Sequence, residues 1–205
     1  MPKVVDHARR RRELAEAAWQ AIVKFGLEGT TTRIIARESG YSAGALTHYF
    51  ESKDEILLEA LRLSHESFDK RIRETIGGKE GLDAFRAFCA ELLPTSPIAV
   101  RETHLEICMW SRALVNDEVR SVQRSEAAQW RQFMEDLIEG AQRSGELVEM
   151  PPRTIAVVIS AVIEGLSTYG LLYPDRFTKA ELMDYFDKAL SAFTTTGQAK
   201  EVQFR

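Results

Sequence analysis

The sequence predicts an all-α protein, and three observations carry that prediction. Apolar residues recur at helical spacing through most of the chain, glycines and prolines fall between these segments, and no segment alternates with period two or is rich in β-branched residues. The 205 residues are 44% hydrophobic, which is ample for a packed core. The first apolar stripe predicts a helix that ends at Gly26 and consists of Leu14, Ala17, Ala18, Ala21, Ile22 and Phe25.

Capping residues place two short helices after this one. A threonine of the run Thr30–Thr32 is expected to cap a second helix that extends to about Ser39, and Gly40 then stops it. Ser42 is a good N-cap for a third helix, which we expect to run through about His48.

The remaining helices are longer. Ser52 and Glu55 form a capping-box pattern for a fourth helix that ends at the Gly77-Gly78 break. Further helices are expected over residues 80–93, 96–114, 116–144, 151–172 and 178–195. Their ends are marked by Ser96 with Pro97, by Asn116, by Gly145, and by a second capping box of Thr178 and Glu181.

Charge and cysteine content narrow the class of protein. The net charge is −4, yet residues 1–53 hold nine Lys/Arg against six Asp/Glu, whereas the rest holds 18 against 25. The basic end suits phosphate. Two cysteines imply no disulfide framework, and the start of the chain lacks an apolar signal region. We therefore expect a soluble, cytoplasmic protein that does not enter a membrane.

The two short helices around residues 40–42 have the length and turn chemistry of a helix-turn-helix, whose second helix enters the DNA major groove. An ordinary helical hairpin would share that spacing. The third helix, AGALTHYF, favours DNA binding because small or polar residues stand where a core helix needs large apolar groups. The small residues Ala43–Ala45 let the backbone approach base edges, and Thr47 can offer a hydroxyl or a methyl group to a base.

The stretch GTTTRIIARESGYSAGALTHYFESKDEIL, residues 29–57, resembles the DNA-binding signature of TetR-family transcriptional repressors. The threonines, Gly40, Gly44, the His48-Tyr49-Phe50 run and Lys53 stand at the family's spacing. Tyr41 replaces the usual valine after the turn, and Thr47 replaces a common tyrosine. These two departures leave the expected fold unchanged and concern only the expected base preference. Residues 88–137 and 163–166 are similar to BetI-like C-terminal domains of that family, a resemblance that hints at choline-type inducers.

The resemblance implies an N-terminal three-helix helix-turn-helix DNA-binding domain plus a C-terminal helical domain for ligand binding and dimerisation. The expected boundaries are 1–53 for the DNA-binding domain, 54–77 for a connecting helix and 78–205 for the C-terminal domain. The expected partners are double-stranded operator DNA, a small-molecule effector and a second copy of the chain. We expect the chain to be a repressor that the effector releases from a near-palindromic operator.

The DNA contacts expected from these patterns fall into two groups. Phosphate would be held by hydroxyls, cations and the starts of helices, and bases would be read from the third helix. The phosphate group comprises Thr32, Arg33, Tyr41, Ser42, Tyr49 and Lys53, with His48 either contacting phosphate or packing beneath the motif. The base-reading group comprises Ala43, Gly44, Ala45 and Thr47.

The run Arg9–Arg12 places four cations near the start of a helix, where they oppose the helix dipole and repel one another. One interpretation is an ordinary solvated charge run. The other is a flexible arm, or a first helical turn, that grips phosphates and thereby relieves the repulsion.

The segment Ile155–Ile163 is apolar nearly all round its helix and must be covered on more than one face. It would form half of a four-helix dimer seam with the next helix, whose apolar residues are Leu182, Phe186, Ala189, Leu190 and Phe193. Burial within one subunit is the alternative.

Large side chains in the C-terminal half are candidates for an effector site, although each is also an ordinary core residue. They are Phe85, Phe88, Met109, Trp110, Trp130, Phe133 and Met134, with Glu164 and His104 as polar anchors. An aromatic box of this kind suits a quaternary ammonium.

Two other classes of protein remain as alternatives. An enzyme is disfavoured because no phosphate-binding, zinc-protease or nucleophile-elbow motif is present, so no catalytic residue, metal or cofactor is expected. His104 and Cys108 share a helix face and could hold a metal or a redox-sensitive thiol, or simply pack. A helical protein-binding adaptor is disfavoured because the third helix lacks large aromatic anchors.

Overall fold

The computed structural model describes residues 7–196, and over these residues the chain forms nine helices joined by short turns. They are α1 His7–Gly29, α2 Thr32–Ser39, α3 Ala43–Leu46, α4 Lys53–Ile76, α5 Gly81–Leu92, α6 Pro97–Ala113, α7 Asp117–Arg143, α8 Pro152–Leu172 and α9 Lys179–Ser191. Within this range the only β pairing is an isolated bridge between Leu147 and Thr194. The all-α prediction is confirmed.

Local capping chemistry accounts for most helix ends. Thr31 accepts a hydrogen bond from the Ile34 N–H and caps α2. Thr178 and Glu181 form both bonds of the predicted capping box at α9. Gly26 has φ 71° and breaks α1 as predicted, but helical turns resume and carry the helix to Gly29. Helices α3 and α9 end two and four residues before their predicted ends.

The chain divides into two compact units. The N-terminal unit contains the residues up to Lys70 together with His104–Ser121, and the C-terminal unit contains Arg71–Thr103 and the residues from Val122 onward. This division differs from the expected boundaries at 53/54 and 77/78. Most of α4, up to Lys70, belongs to the same unit as the two short helices α2 and α3, and its apolar residues Ile56, Leu57 and Leu61 are buried. The expected domain ends at 1 and 205 lie outside the described residues.

An ion-pair network joins the end of α4 to α5 and α6 within the C-terminal unit. The Arg71 guanidinium donates to Glu91 at 2.6 Å and forms a two-pronged pair with Glu102 at 2.9 and 2.5 Å. Thr75 donates to the other oxygen of Glu91 at 3.0 Å. These hydrogen bonds raise the pKa of Arg71, those from Glu102 most. Because a half-buried charge needs such partners, the network specifies how the three helices meet.

Helices α8 and α9 pack against each other through rows of fully buried side chains. On α9 these are Leu182, Phe186 and Leu190. These three residues therefore lie in the core of a single chain, and a seam between subunits would use other sides of the two helices; the seam itself stays a prediction. On the other side of α8, Val157, Val158, Tyr169 and Leu172 are exposed.

By length and composition alone, α8 is apolar enough to cross a membrane, and it is the one such helix between residues 7 and 196. The apolar run Ile155–Ile163 is only the first half of this helix. A helix that must be covered on two faces has the same composition. The exposed valines, leucine and tyrosine of α8 therefore fit an interface between protein chains as well as they fit a membrane-spanning helix.

Candidate nucleic-acid interface and effector site

The turn between α2 and α3 has the geometry of a helix-turn-helix. Gly40 adopts the left-handed conformation at φ 74° and ψ 12°, and its N–H bonds to carbonyls at the end of α2. Ser42 then caps α3 by accepting a hydrogen bond from the Ala45 N–H at 3.2 Å. A side chain at position 40 would be strained in this conformation, so glycine is the residue that allows the turn.

Helix α3 keeps two anchors inside and presents small groups outside. Leu46 and Phe50 are buried, whereas Ala43, Gly44 and Thr47 are exposed. The Thr47 hydroxyl donates to the Gly44 carbonyl at 2.8 Å, which turns the hydroxyl back toward the helix. The methyl group of Thr47 is then the part of this side chain best suited to meet a base.

The remaining phosphate candidates lie around α3. Thr32 and Arg33 are the first two residues of α2, and both are exposed. His48 is exposed as well, which excludes the alternative that it packs beneath the motif. Lys53 is the first residue of α4 and donates to the Leu27 carbonyl of α1 at 2.9 Å. Its ammonium thus already has one partner inside the N-terminal unit.

Tyr41 contacts α1 in the unbound protein. Its hydroxyl donates to the Glu13 carboxylate at 2.5 Å, and the Arg10 guanidinium lies 5.2 Å from the ring centroid. The hydrogen bond to Glu13 raises the pKa of Tyr41. This hydroxyl would have to leave Glu13 in order to donate to phosphate. At the other end of α3, the Tyr49 ring lies 4.6 Å from the ring of His7.

Arg11 clamps the end of α3 to the start of α4. Its guanidinium donates to the Tyr49 carbonyl and, at 2.9 Å, to Glu55, while it covers the Phe50 ring at 4.2 Å. Glu55 also accepts the Glu51 N–H at 2.7 Å, and this bond and then Arg11 lower the pKa of Glu55. Sequence spacing could not reveal this clamp, since Arg11 is 38 and 44 residues from its partners.

The run Arg9–Arg12 lies at the start of helix α1, so of the two forms expected it is a first helical turn and not a flexible arm; its contact with phosphate stays a prediction. Arg9 pairs with Glu13 at 3.6 Å, and Arg12 pairs with Glu66 at 2.9 Å. Pairing with acidic and aromatic side chains of the same unit relieves the repulsion among the four arginines, which contact with DNA phosphates was expected to relieve.

Asp54 joins the start of α4 to the corner between α6 and α7. Its carboxylate accepts hydrogen bonds from Arg112 at 2.6 and 3.2 Å and from the Asn116 amide at 2.9 Å. The bond to Asp54 raises the pKa of Arg112. Farther along the same two helices, His65 lies 3.3 Å from Glu106. Of these residues only Asn116 was singled out from the sequence, and only as a helix cap, because the others are unremarkable surface types.

Among residues 7–196, the structure places no third metal ligand beside His104 and Cys108. The Cys108 sulfur lies 4.0 Å from Nδ1 of His104, and burial raises the pKa of this thiol. Between residues 7 and 196, no three His, Cys, Asp or Glu side chains are grouped so that they could hold a metal ion.

The effector candidates divide between the two units. In the C-terminal unit, the buried Phe88 stacks on Trp130 with centroids 6.2 Å apart and meets Phe133 edge-on at 5.3 Å. Met134 is buried, and its sulfur accepts a weak hydrogen bond from Ser160 at 3.7 Å. Phe88, Trp130 and Phe133 thus form an aromatic cluster, called the aromatic wall below; that it binds an effector stays a prediction.

The other candidates lie elsewhere. Met109 and Trp110 belong to the N-terminal unit, where Met109 is buried and Trp110 is partly exposed. Glu164 lies on the exposed side of α8, so this carboxylate does not reach into the C-terminal unit as the expected anchor would. Phe85 is fully buried.

Comparison with known proteins identifies two matching family models. The model for bacterial regulatory proteins of the tetR family matches residues 14–60. The model for the C-terminal domain of BetI-type transcriptional repressors matches residues 82–195.

Individual relatives cover nearly the whole chain. The HTH-type transcriptional regulator PksA of Bacillus subtilis is 31% identical over 182 residues, 87% of each chain. The regulator BetI of Paraburkholderia phymatum is 30% identical and covers 93% of this chain and 98% of its own. Among solved structures, a putative regulator from Saccharomonospora viridis in complex with choline has a TM-score of 0.82 at 23% identity, covering 91% of this chain and 98% of its own.

The Arg11 clamp leads to a stability prediction. Replacing Arg11 by Gln removes a half-buried cation and leaves Glu55 without its partner, so the free energy of unfolding should fall by about 1–3 kcal/mol. Arg12→Gln breaks only the exposed pair with Glu66 and should change it by less than about 1 kcal/mol. Urea denaturation of both variants measures the difference. Equal losses would show that Arg11 is no more than another surface cation.

Proposed function

Because this chain belongs to the TetR family of bacterial transcriptional regulators, we propose that it is a repressor that a small-molecule effector releases from a near-palindromic operator. The observation that best supports the proposal is the exposed row of small residues on α3, directly after a helix-turn-helix turn. Such a helix can lie deep in the major groove.

The proposed DNA contacts follow from where the side chains lie. Thr32, Arg33 and Lys53 begin helices, where dipole and charge both favour phosphate. The exposed hydroxyl of Ser42 and the exposed imidazole of His48 flank α3 and add to this group, together with the two flanking tyrosines. Ala43, Gly44, Ala45 and Thr47 are left to meet the bases.

Operator binding by single variants tests these roles. Lys53→Ala should weaken binding about equally for all sequences and reduce the slope of log affinity against log salt by about one unit. Thr47→Ala should instead change the base preference, and Thr47→Val should retain most of it, because valine keeps the methyl group that faces outward. Selection from a randomised operator library, repeated at three salt concentrations, measures both effects.

The opposite pattern would contradict the assignment: a changed preferred sequence with Lys53→Ala and an unchanged one with Thr47→Ala. A chain that binds no DNA from the region around its own gene in a gel shift would contradict the repressor proposal as a whole.

A homodimer is proposed from the uncovered side of α8. This side combines exposed apolar residues with two small ones, Ala161 and Gly165, at a spacing that lets two helices approach closely. Tyr169 extends it through a stacked contact with Phe177 at 5.3 Å, and Phe177 in turn lies near Tyr185. A twofold axis here would pair two recognition helices on half-sites about 34–36 Å apart, or a multiple of that distance.

Gly165 offers a clean test of this face. A Cβ built at Gly165 meets nothing within 4 Å in the same chain, so Gly165→Leu should fold and yet obstruct a second helix. The control is Gly140→Leu on α7, where the nearest atom is the flexible end of Arg143 at 3.9 Å. Sedimentation should give monomers for Gly165→Leu and dimers for the control and the wild type. A dimeric Gly165→Leu protein would exclude close packing at this face.

An effector can release the protein from its operator only if it binds more tightly to the conformation that does not fit the operator. In this proposal α4, which connects the two expected domains, transmits the effector signal. The contact of Asp54 with Arg112 and Asn116 adds α6, since both α4 and α6 contribute residues to each compact unit. We assign the transmission of the effector signal to the contact of Asp54 with Arg112 and Asn116, which is called the relay below. Asp54 lies one residue from Lys53.

The relay is tested with Arg112→Gln. Operator affinity of the free protein should change little, while the effector-induced loss, about 5- to 150-fold for the wild type, should shrink severalfold. Arg62→Gln breaks pairs only within α4 and serves as control. Choline and lipophilic cations are the first effectors to titrate against the operator complex. Full induction in Arg112→Gln would exclude the relay.

The proposed function also implies where the protein acts and that its action involves no catalysis. A repressor acts where its operator is, so the chain is assigned to the cytoplasm. It needs no catalytic residue, metal or cofactor, because binding energies alone account for repression and release.

A further inference from the structure

Gln123 on α7 holds a buried amide group without an acceptor. The residue is only 8% exposed, and no atom of residues 7–196 accepts a hydrogen bond from its Nε2. Gln142, on the same helix, shows the usual solution: its Nε2 donates to the carbonyls of Val148 and Met150, both at 2.8 Å. A buried donor that lacks such partners lowers the folding equilibrium constant about 5- to 150-fold. A sequence that retains this cost implies a use for the amide.

The position of Gln123 on α7 connects it to the aromatic wall. Gln123, Glu126, Trp130 and Met134 follow one another at helical spacing and form one stripe of the helix. Trp130 stacks on Phe88, which in turn meets Phe133. Helical side chains lean toward the N-terminus, which is the direction of Gln123 from Trp130. Small-molecule sites combine apolar walls with a few placed polar groups in this way.

We propose that Gln123 is the polar contact of the effector site and that the effector is a neutral, lipophilic molecule with a carbonyl oxygen, which accepts a hydrogen bond from Nε2. This inference rests on the proposed function and names its ligand class. An amide N–H calls for an acceptor and adds nothing to the binding of a cation. Glu126 lies one turn away, so an anionic acceptor would be repelled.

The spacing along α7 also sets the size of the effector. Gln123 and Trp130 are seven residues apart, which is about 10 Å along a helix. An aryl or alkyl group against the ring and a carbonyl at the far end of a short chain match this distance. When the effector binds, its carbonyl oxygen pairs with Nε2 of Gln123. The free energy that the unpaired donor costs in the free protein is then recovered and adds to the affinity.

The first test concerns the free protein and needs no ligand. Gln123→Leu replaces an unpaired buried amide by an apolar group of similar size, so the melting temperature should stay the same or rise by up to about 4 °C. Gln142→Leu removes two hydrogen bonds and should lower it. A drop for Gln123→Leu like that for Gln142→Leu would show that the amide is satisfied in the folded protein, for example by bound water, and would overturn the proposal.

The second test uses a matched pair of probes on the full chain, 4-phenylbutan-2-one and butylbenzene, with binding followed by calorimetry. The ketone should bind the wild type about tenfold more tightly than the hydrocarbon, and Gln123→Leu should remove most of that preference. Equal binding of the two probes to the wild type, a ketone preference that survives Gln123→Leu, or tighter binding of choline than of the ketone would each overturn the proposal. Operator binding without probe is measured in parallel, so a failure of the repressor function is seen separately.

Discussion

The first turn of α4 is the constraint on which the N-terminal unit depends. Its first three residues contact three separate segments: Lys53 donates to the end of α1, Asp54 accepts from the α6–α7 corner, and Glu55 accepts from Arg11 near the start of α1. Since α3 is only four residues long, it has too few internal hydrogen bonds to hold its own orientation. Its position is therefore set by these neighbours, above all by Arg11 at the Tyr49 carbonyl.

Two polar groups of the C-terminal unit differ in whether they are paired. Arg71 has carboxylate partners on α5 and α6, so that its charge organises the packing of helices. Gln123, on α7 of the same unit, is buried, but its amide remains without an acceptor. A fully paired group stabilises one arrangement, whereas an unpaired donor lowers stability until something supplies an acceptor. That contrast separates the structural polar groups of this protein from the one assigned to a ligand.

Helix boundaries were predicted well wherever a cap is local. Thr31, Ser42 and the Thr178–Glu181 box each bond to a backbone group within three residues, and such short-range chemistry is visible in sequence. What covers each apolar side of α8 and α9 could not be predicted in the same way. Leu190 was expected in the dimer seam because it is apolar and correctly spaced, yet it lies in the core of one chain. Periodicity reveals an apolar stripe but not what covers it.

By itself the sequence determined the all-α class, the helix-turn-helix and the residues that α3 presents outward, because these follow from helical period, glycine conformation and capping. Only the tertiary structure decided the partners of Arg11, Asp54 and Tyr41, which lie 28 to 62 residues away along the chain. It also revealed the orphan amide of Gln123. A hydrogen bond between distant segments, or its absence, depends on where the packed helices place both groups, and no local pattern encodes that placement.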